Sequence, residues 1–210
     1  MIALALSMAL AAAPAAPSDA SAAKALAARV QAYYDHTKDL AARFVQTYTY
    51  AAFGRKQTSS GTFQVKKPGK LRWDYEKPEK KVVLVSGSRL VQWEPTANQV
   101  YVDEKFDATA MSAAVSFLLG SGKLEREFSL SVDDAGRLLL TPKQEDPRVA
   151  SIALTVGPAG EVTATRVVDG SSNVNEVQFT DLRRNPGLPD SRFVLDLPKD
   201  VRRVGAPAQR

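Results

Sequence analysis

The spacing of hydrophobic residues changes near the start of the chain, from a helical period to a strand period. Four positions have the helical spacing of four, three and four residues: Leu26, Val30, Tyr33 and Thr37. They predict an amphipathic helix over residues 20–34. From about Asp39 onwards, apolar and polar residues alternate, and this alternation predicts the first strand of a sheet.

Short alternating segments continue almost to the C-terminus, separated by turn residues such as Gly, Pro, Asn and Asp. After the first strand, the predicted strands are residues 61–66, 71–76, 82–85, 89–93, 99–103, 127–132, 137–140, 151–156, 161–168, 174–181 and 192–197. The short turns between them indicate an antiparallel meander rather than alternating strands and helices. We therefore expect a mainly β protein (α+β) with one antiparallel sheet of about eleven strands that curls to bury one face.

One segment within this series has a helical pattern instead. Its apolar stripe consists of Met111, Ala114, Val115, Leu118 and Leu119. Gly120 is a natural end for such a helix. A sheet of this length is expected to curl into a barrel, or into an incompletely closed one, and the N-terminal and central helices are candidates for a plug or lid over its apolar interior.

The N-terminal residues have the composition of an export signal. Residues 1–13 read MIALALSMALAAA, an apolar run too short to span a membrane but long enough for the core of a secretory signal. We expect a signal segment over residues 1–17, one domain over residues 18–204 and a tail over residues 205–210. If the chain is exported, we expect it to be soluble. A simple Ala- and Pro-rich tail is the alternative reading of the first segment.

Composition excludes several kinds of site. The chain has no cysteine and one histidine, which excludes disulfides, thiolate metal sites, a cysteine nucleophile and a multi-histidine metal site. Without a cysteine the protein also cannot carry a lipoprotein's own lipid anchor. The net charge of +5 over 210 residues is only mildly basic. We expect no metal and no cofactor.

The candidate catalytic groups each have a simpler structural interpretation. His36 follows the first helix, no G-x-S-x-G motif accompanies it, and a histidine at a helix end is commonly exposed to solvent. Residues 120–123 (GSGK) lack the earlier glycine and the later hydroxyl residue of a phosphate loop. Asp133 and Asp134 belong to a predicted hairpin turn. The sequence therefore predicts no catalytic residue and a protein that is not an enzyme.

Basic and aromatic residues interleave between Lys66 and Lys81, a mixture that also occurs in proteins that bind single-stranded nucleic acid. Strand alternation, however, places Leu71, Trp73 and Tyr75 on one face and the charged residues on the other. We therefore expect a solvated outer face, an apolar inner face and no nucleic-acid partner.

Large apolar residues of several strands are predicted to share the inner face and to line a cavity for an apolar ligand. These residues are Phe63, Val65, Leu71, Trp73, Tyr75, Val83, Val85, Val91 and Trp93. In this prediction both tryptophans point to the same side of the sheet. Simple core packing of the same residues is the alternative.

Two successive segments of the chain resemble the family of outer-membrane lipoprotein carriers, LolA. They read GTFQVKKPGKLRWDYEKP (residues 61–78) and VVLVSGSRLVQWEPTANQVYV (residues 82–102). The family shows G-x-F-x-V-K-[RK]-P-x-x-[FL]-x-W, followed by an S-x-G turn. The sequences LLG at 118–120 and RFVLDLPKDV at 192–201 also fit. The resemblance covers most of the chain that follows the signal segment.

The resemblance implies a soluble, exported carrier of the periplasm. Its expected fold is an unclosed antiparallel β-barrel of about eleven strands, with an N-terminal helix and a central helix as lid over an apolar cavity. Its partners would be acylated lipoproteins, the inner-membrane ABC transporter that releases them and an outer-membrane acceptor, and we expect a monomer. The resemblance further implies that Lys67 latches the lid, at a position where many members have arginine. Lysine cannot form the bidentate fork of arginine. Leu71 would lie near the cavity mouth, and Trp73 would be the buried cavity tryptophan.

A second function class stays open at this stage. Related half-barrels also serve as sensor or regulatory modules of the bacterial envelope, such as anti-sigma regulatory proteins, which bind a protein partner. A purely structural β protein is the third reading. Saturable binding of a fluorescent fatty acid is the property that separates a carrier from the other two.

Overall fold

The computed structural model describes residues 19–106, 123–146 and 148–205. Its helices are α1 (Asp19–Asp35) and the short α2 (Leu124–Glu127). Its strands are β1 (Asp39–Tyr50), β2 (Arg55–Lys66), β3 (Lys70–Lys77), β4 (Lys81–Ser86), β5 (Arg89–Glu94), β6 (Gln99–Asp103), β7 (Phe128–Val132), β8 (Leu138–Pro142), β9 (Ser151–Val156), β10 (Val162–Val168), β11 (Val174–Arg184) and β12 (Arg202–Arg203). The signal segment and the central helix predicted from the sequence lie outside the described residues.

All of these strands belong to one twelve-stranded sheet, in the order β12-β6-β5-β4-β3-β2-β1-β11-β10-β9-β8-β7. Strands β1 to β6 form one antiparallel meander and β7 to β11 a second. Antiparallel pairing of β1 with β11 joins the two meanders, and the short β12 lies parallel to β6 at one edge. Over the described residues the sheet is unclosed, which confirms the predicted fold class.

One face of the sheet, which we call the inner face, carries the larger hydrophobic cluster. Cross-strand pairing defines it, because Leu71 lies opposite both Val65 and Val85. Helix α1 covers part of this face with five buried residues: Ala23, Ala27, Val30, Tyr33 and Tyr34. Alanine at two of these positions lets the helix backbone approach the strands closely.

The opposite, outer face carries a smaller cluster, and the C-terminal segment covers it. We call residues 185–201 the C-terminal strap. Phe193 of the strap is buried against Leu84, Val91 and Val100. The outer face under the strap is therefore a second core rather than a solvated surface.

The C-terminal strap differs from the sequence prediction of a strand over residues 192–197. A 3₁₀ turn over Asp190–Phe193 and irregular backbone occupy this part of the chain. Pro189 and Pro198 flank the segment, and proline cannot donate a hydrogen bond to a strand ladder. The apolar alternation in RFVLDL therefore reflects packing onto the outer face, not strand pairing.

Strand β2 is longer than its hydrophobic pattern predicts. It begins at Arg55, whereas the alternation begins at Gly61. Residues 55–60 (RKQTSS) are polar on both faces, so no apolar period marks them. They form a strand because β2 pairs with β1 without a break, from Asp39 opposite Lys66 to Tyr50 opposite Arg55.

Gly61 marks an irregularity between β2 and β3. The register of the two strands shifts between Ser60 and Gly61, which is the signature of a β-bulge. A Cβ atom at Gly61 would overlap the backbone carbonyl oxygen of Asp74. The glycine that opens the GTFQVK motif is thus required by the close approach of a neighbouring backbone.

Candidate functional site

A cavity of about 40 Å³ lies between the helices and the inner face of the sheet. Its lining residues are Tyr34, Leu40, Phe63, Leu124, Leu140, Leu154, Val162, Thr165, Phe179 and Leu182. Almost all of the lining is apolar, and Tyr34 and Thr165 are the lining residues with a polar group in the side chain. Such a cavity is suited to hydrocarbon and offers few directional contacts to a polar ligand.

The helical side of the cavity is formed by the ends of α1 and α2, which are tied together by polar contacts. The backbone N–H of Leu124 donates to Oε1 of Gln31 at 3.4 Å. Nζ of Lys123 lies 3.1 Å from Oδ2 of Asp35, and Nε2 of Gln31 donates to Oδ1 of the same carboxylate at 2.7 Å. These contacts place Leu124 against Tyr34 at the cavity wall.

Next to the cavity, five aromatic rings form a cluster on the inner face: Phe44, Phe63, Trp73, Tyr75 and Phe179. Ring centroids are 4.5 Å apart for Phe63 and Trp73 and 5.5 Å apart for Phe63 and Phe179. Phe63 and Phe179 belong both to this aromatic cluster and to the cavity wall. The cluster is therefore continuous with the cavity, and moving these rings would enlarge it.

The aromatic cluster is a poor environment for charge. Burial raises the pKa of the Tyr75 phenol to about 12, although Gln46 opposes the shift. The ammonium group of Lys81 lies 4.4 Å from the centroid of the Tyr75 ring, and burial lowers its pKa while Glu94 raises it. Nε1 of Trp73 is buried and has no hydrogen-bond partner among the described residues. This region can accept a neutral, apolar group at small electrostatic cost.

Most residues that the sequence assigned to the cavity do face the inner side. Strand pairing places Phe63 opposite Trp73, Trp73 opposite Val83, and Leu71 opposite Val85. Val65 and Tyr75 belong to the same hydrophobic cluster. Only Phe63 of this set lines the cavity itself; the others extend the apolar face beyond it.

Val91 and Trp93 lie on the opposite face, and the prediction that both tryptophans share a face is wrong. Val91 pairs with Leu84, and Trp93 pairs with Val82 and Val100, all on the outer face. Both residues pack in the cluster that Phe193 of the C-terminal strap completes. Because the strap covers the outer face of β5, that face also carries apolar residues, and alternation alone does not tell the two faces apart.

The part of the cavity that the second meander forms is absent from the cavity residues predicted from the sequence. Leu140, Leu154, Val162 and Phe179 come from β8 to β11 and face the same cavity as Phe63. Alternation in these strands could have shown that their apolar residues share a face. It could not show that the face meets β2, because that contact depends on the pairing of β1 with β11.

Lys67 binds the end of α1. Its Nζ donates to the carbonyl oxygen of Tyr34 at 2.5 Å, and its backbone N–H donates to the carbonyl of Lys38 at 2.8 Å. Burial lowers the pKa of Lys67, whereas the nearby Asp35 carboxylate raises it. A cation at the C-terminal end of a helix also stabilises the helix dipole. Lys67 therefore lies at the helical end of the cavity, close enough to Lys123 for the two charges to interact.

Within the described residues no group of three or more His, Cys, Asp or Glu side chains could hold a metal ion. His36 follows α1, and its Nδ1 lies 2.7 Å from the carbonyl oxygen of Ala32. A search of the described part of the chain finds no helix with the length and apolar character to cross a membrane.

Comparison with known proteins gives a consistent set of relatives. The profile of the family described as "Outer membrane lipoprotein carrier protein LolA" matches residues 35–196. A Methylobacillus flagellatus protein named "Outer-membrane lipoprotein carrier protein" is 30% identical over 180 residues, 84% of this chain and 87% of that protein. A Chromobacterium violaceum protein of the same name is 30% identical over 200 residues, 92% of each chain. A solved structure, an uncharacterized conserved protein from Thermus thermophilus, aligns with a TM-score of 0.52 at 13% identity, over 88% of this chain and 99% of that one.

Proposed function

This chain belongs to the LolA family of outer-membrane lipoprotein carrier proteins, and on that premise we propose that it binds the acyl chains of lipoproteins against its inner face. It carries them across the periplasm from the inner membrane to the outer membrane. The observation that carries the proposal is the cavity between the helices and the sheet, whose wall is almost entirely apolar. The aromatic cluster beside it extends the apolar surface available to a long chain.

The energetics of such a carrier follow from the hydrophobic effect. Removing an acyl chain from water is worth about 0.8 kcal/mol for each CH₂ group, or about 8 kcal/mol for ten carbons. An apolar cavity recovers most of this free energy without directional bonds. Because the contacts are non-directional, a second apolar environment can take over the chain at small net cost. Binding and release are therefore compatible in one protein.

The size of the cavity implies that cargo enlarges it. The cavity of about 40 Å³ is far smaller than a pocket for a drug-sized ligand, which measures about 300–1,000 Å³. The described conformation therefore corresponds to a carrier without cargo, in which aromatic and aliphatic side chains fill the space. Acyl binding separates α1 and α2 from the inner face, and these side chains then contact the cargo.

The residues proposed to contact acyl chains include those predicted from the sequence that face the inner side: Phe63, Val65, Leu71, Trp73, Tyr75, Val83 and Val85. We add to them the residues of the second meander that line the cavity, including Leu140, Leu154 and Phe179. Lys67 remains the candidate for latching the lid. Its bond to α1 supports a role at that end of the cavity.

The proposed partners follow from the carrier role. An inner-membrane ABC transporter supplies the lipoprotein, and an outer-membrane acceptor receives it. The chain acts as a periplasmic monomer, performs no chemistry on its cargo and needs no cofactor. The family is a family of carriers rather than of enzymes, which supports this assignment.

A matched pair of leucine substitutions tests the proposal. Leu154→Phe adds volume inside the cavity, and Leu84→Phe adds the same volume to the outer-face cluster. We expect Leu154→Phe to weaken saturable binding of a fluorescent fatty acid about tenfold, because the filled cavity resists opening. Leu84→Phe is expected to leave fatty-acid binding unchanged, and thermal melting checks that both variants fold.

Co-purification from the periplasm gives the second readout. The wild-type protein is expected to retain acylated lipoproteins, and Leu154→Phe is expected to retain fewer of them. If the wild-type protein binds no fatty acid but retains a non-acylated protein, the carrier proposal is wrong and a sensor or regulatory module replaces it.

A further inference from the structure

The tip of the β1–β2 hairpin exposes an aromatic side chain to solvent. Phe53 is 84% exposed in the turn that links β1 to β2. Its backbone N–H donates to the carbonyl of Tyr50, so the turn is formed and the ring points away from any core. Burial drives the packing of large aromatic residues elsewhere in this fold, which makes an exposed phenylalanine at a projecting tip unusual.

The hairpin end projects beyond the neighbouring strand. Strand β3 pairs with β2 only from Ser60 onwards, so residues 55–59 of β2 have no strand partner on that side within the described sheet. On the other side, the turn after β10 supports the hairpin, because Oδ1 of Asn173 accepts a hydrogen bond from the backbone N–H of Ala51 at 3.0 Å. The tip is thus held in position while its ring stays free.

Aromatic and basic side chains surround the base of the tip. The ring centroids of Tyr48 and Tyr50 lie 4.7 Å apart, and the guanidinium carbon of Arg55 lies 5.5 Å from the centroid of the Tyr50 ring. Arg55 and the next residue, Lys56, are exposed. An apolar tip above tyrosine rings and basic groups has the composition of a segment that binds at a membrane interface.

The next turn at the same end of the sheet adds positive charge. Lys77 and Lys80 flank the β3–β4 turn and are exposed, and Glu79 is the acidic residue between them. Glu76 is paired with Arg43 at 3.0 Å and does not offset these lysines. Beside the hairpin, the carboxylate of Asp169 accepts hydrogen bonds from its own turn. The end of the sheet around Phe53 is therefore basic and complementary to an anionic surface.

We propose that this tip, formed by Phe53, Arg55 and Lys56 with Lys77 and Lys80 beside it, docks transiently on an anionic phospholipid membrane. A bilayer accepts a single protruding ring without shape complementarity, and its anionic headgroups attract the surrounding cations. A stable protein partner would need a well-packed surface around the aromatic anchor. The tip offers one isolated ring instead, which favours a lipid surface.

Docking through this tip would fix the orientation of the protein at the membrane. The tip and Lys67 lie at opposite ends of β2, because Arg55 begins the strand and Lys67 follows its last residue. With Phe53 in the headgroup region, the α1 end of the cavity points away from the bilayer. The inference is independent of the carrier role, because contact with lipid needs no cargo.

The absence of cysteine from the chain permits a site-specific test. Ala52→Cys, labelled with an environment-sensitive fluorophore, reports on the tip while Phe53 stays in place. Ala135→Cys, in the β7–β8 turn at the opposite end of the sheet, is the matched control. We expect vesicles containing phosphatidylglycerol to increase the fluorescence of the label at position 52 only. Vesicles of pure phosphatidylcholine are expected to give a much weaker response, and added salt is expected to reduce the response to the anionic ones.

Two further variants separate the apolar contribution from the charge. Adding Phe53→Ser to the labelled protein should raise the lipid concentration for half-maximal signal about tenfold. Adding Lys56→Gln should raise it about fivefold. Both residues are exposed, so melting temperature and fatty-acid binding should not change.

The outcomes decide the proposal on their own. It is overturned if anionic vesicles leave the label at position 52 unchanged, if Phe53→Ser gives the same response as the parent, or if position 135 responds equally. Loss of fatty-acid binding in the parent protein would contradict the carrier role and leave the vesicle result standing.

Discussion

Removal of the Phe63 ring should weaken the fold and at the same time create space for cargo. Phe63 is 2% exposed and lines the cavity. The centroid of its ring lies 4.5 Å from that of Trp73 and 5.5 Å from that of Phe179. Truncation of a buried phenylalanine to alanine costs about 3–5 kcal/mol of unfolding free energy. The void left by Phe63→Ala adjoins the existing cavity, so an acyl chain can enter with less separation of its walls.

The outer face provides the matched control for this substitution. Phe193 is 3% exposed and packs under the C-terminal strap, on the other side of the sheet. Phe193→Ala should lose a similar amount of unfolding free energy, about 3–5 kcal/mol. Its void opens into the outer-face cluster and not into the cavity, so it should give no advantage to a fatty acid.

Urea unfolding with and without a fatty acid measures both effects. A ligand present at one hundred times its Kd stabilises the folded state by about 2.7 kcal/mol. Because Phe63→Ala should lower the Kd, a fixed fatty-acid concentration should stabilise this variant more than the wild type, and Phe193→Ala no more than the wild type. An equal gain in the two variants would refute the assignment of the inner face as the acyl site.

Two further substitutions test the local geometry and the buried phenol. Gly61→Ala should lower the free energy of unfolding by about 3 kcal/mol in urea unfolding, because the added Cβ overlaps the Asp74 carbonyl. Gly136 has open space around it but a φ of +75°, so Gly136→Ala should lower the free energy of unfolding by only about 1 kcal/mol. Equal losses in the two variants would contradict the bulge. The raised pKa of Tyr75, about 12, means that the unfolded state loses its proton first. The contribution of the buried phenol to the free energy of unfolding should therefore be fully present below pH 10, and about 2–3 kcal/mol of it should be lost between pH 10 and 12. Tyr75→Phe should reduce that loss. An unchanged pH profile in this variant would show that the phenol is not buried in solution.

The part of the fold that could be predicted from the sequence is the part with local causes. In β3, Leu71, Trp73 and Tyr75 alternate with charged residues, and the structure places all three on the inner face. Each decision needs only the two-residue period of a strand and the contrast between apolar and charged neighbours. The other predicted strands that the structure confirms depend on the same local signal.

Prediction failed where both faces of a strand are covered. In β5, Leu90 faces the inner cluster while Val91 and Trp93 face the outer one. An apolar residue on either face gives no indication of which face encloses the cavity. The C-terminal strap determines the outer face, because its Phe193 packs over Val91. The two residues are about a hundred positions apart in the sequence, so no local pattern in β5 predicts the contact.

The cavity itself was only half predictable for a similar reason. One wall comes from β1 and β2, and the family-like motif marks only the second half of β2. The other wall comes from β8 to β11. The two walls meet because Thr49 pairs with Val174 and Leu40 with Arg184. Alternation predicts that each strand has an apolar face but not which distant strand will lie opposite.

The pairing of β1 with β11 also determines how much of the chain must be synthesised before the sheet can form completely. β1 can form a hairpin with β2 early, but its other edge has to wait for residues 174–184. Contacts between such distant segments form late and slowly. Until then the N-terminal meander presents an unpaired edge and half of an apolar wall, both of which can pair with other chains. The nascent chain is therefore most vulnerable to aggregation before its last long strand appears, and a substitution that weakens β11 should reduce the yield of folded protein more than its effect on final stability suggests.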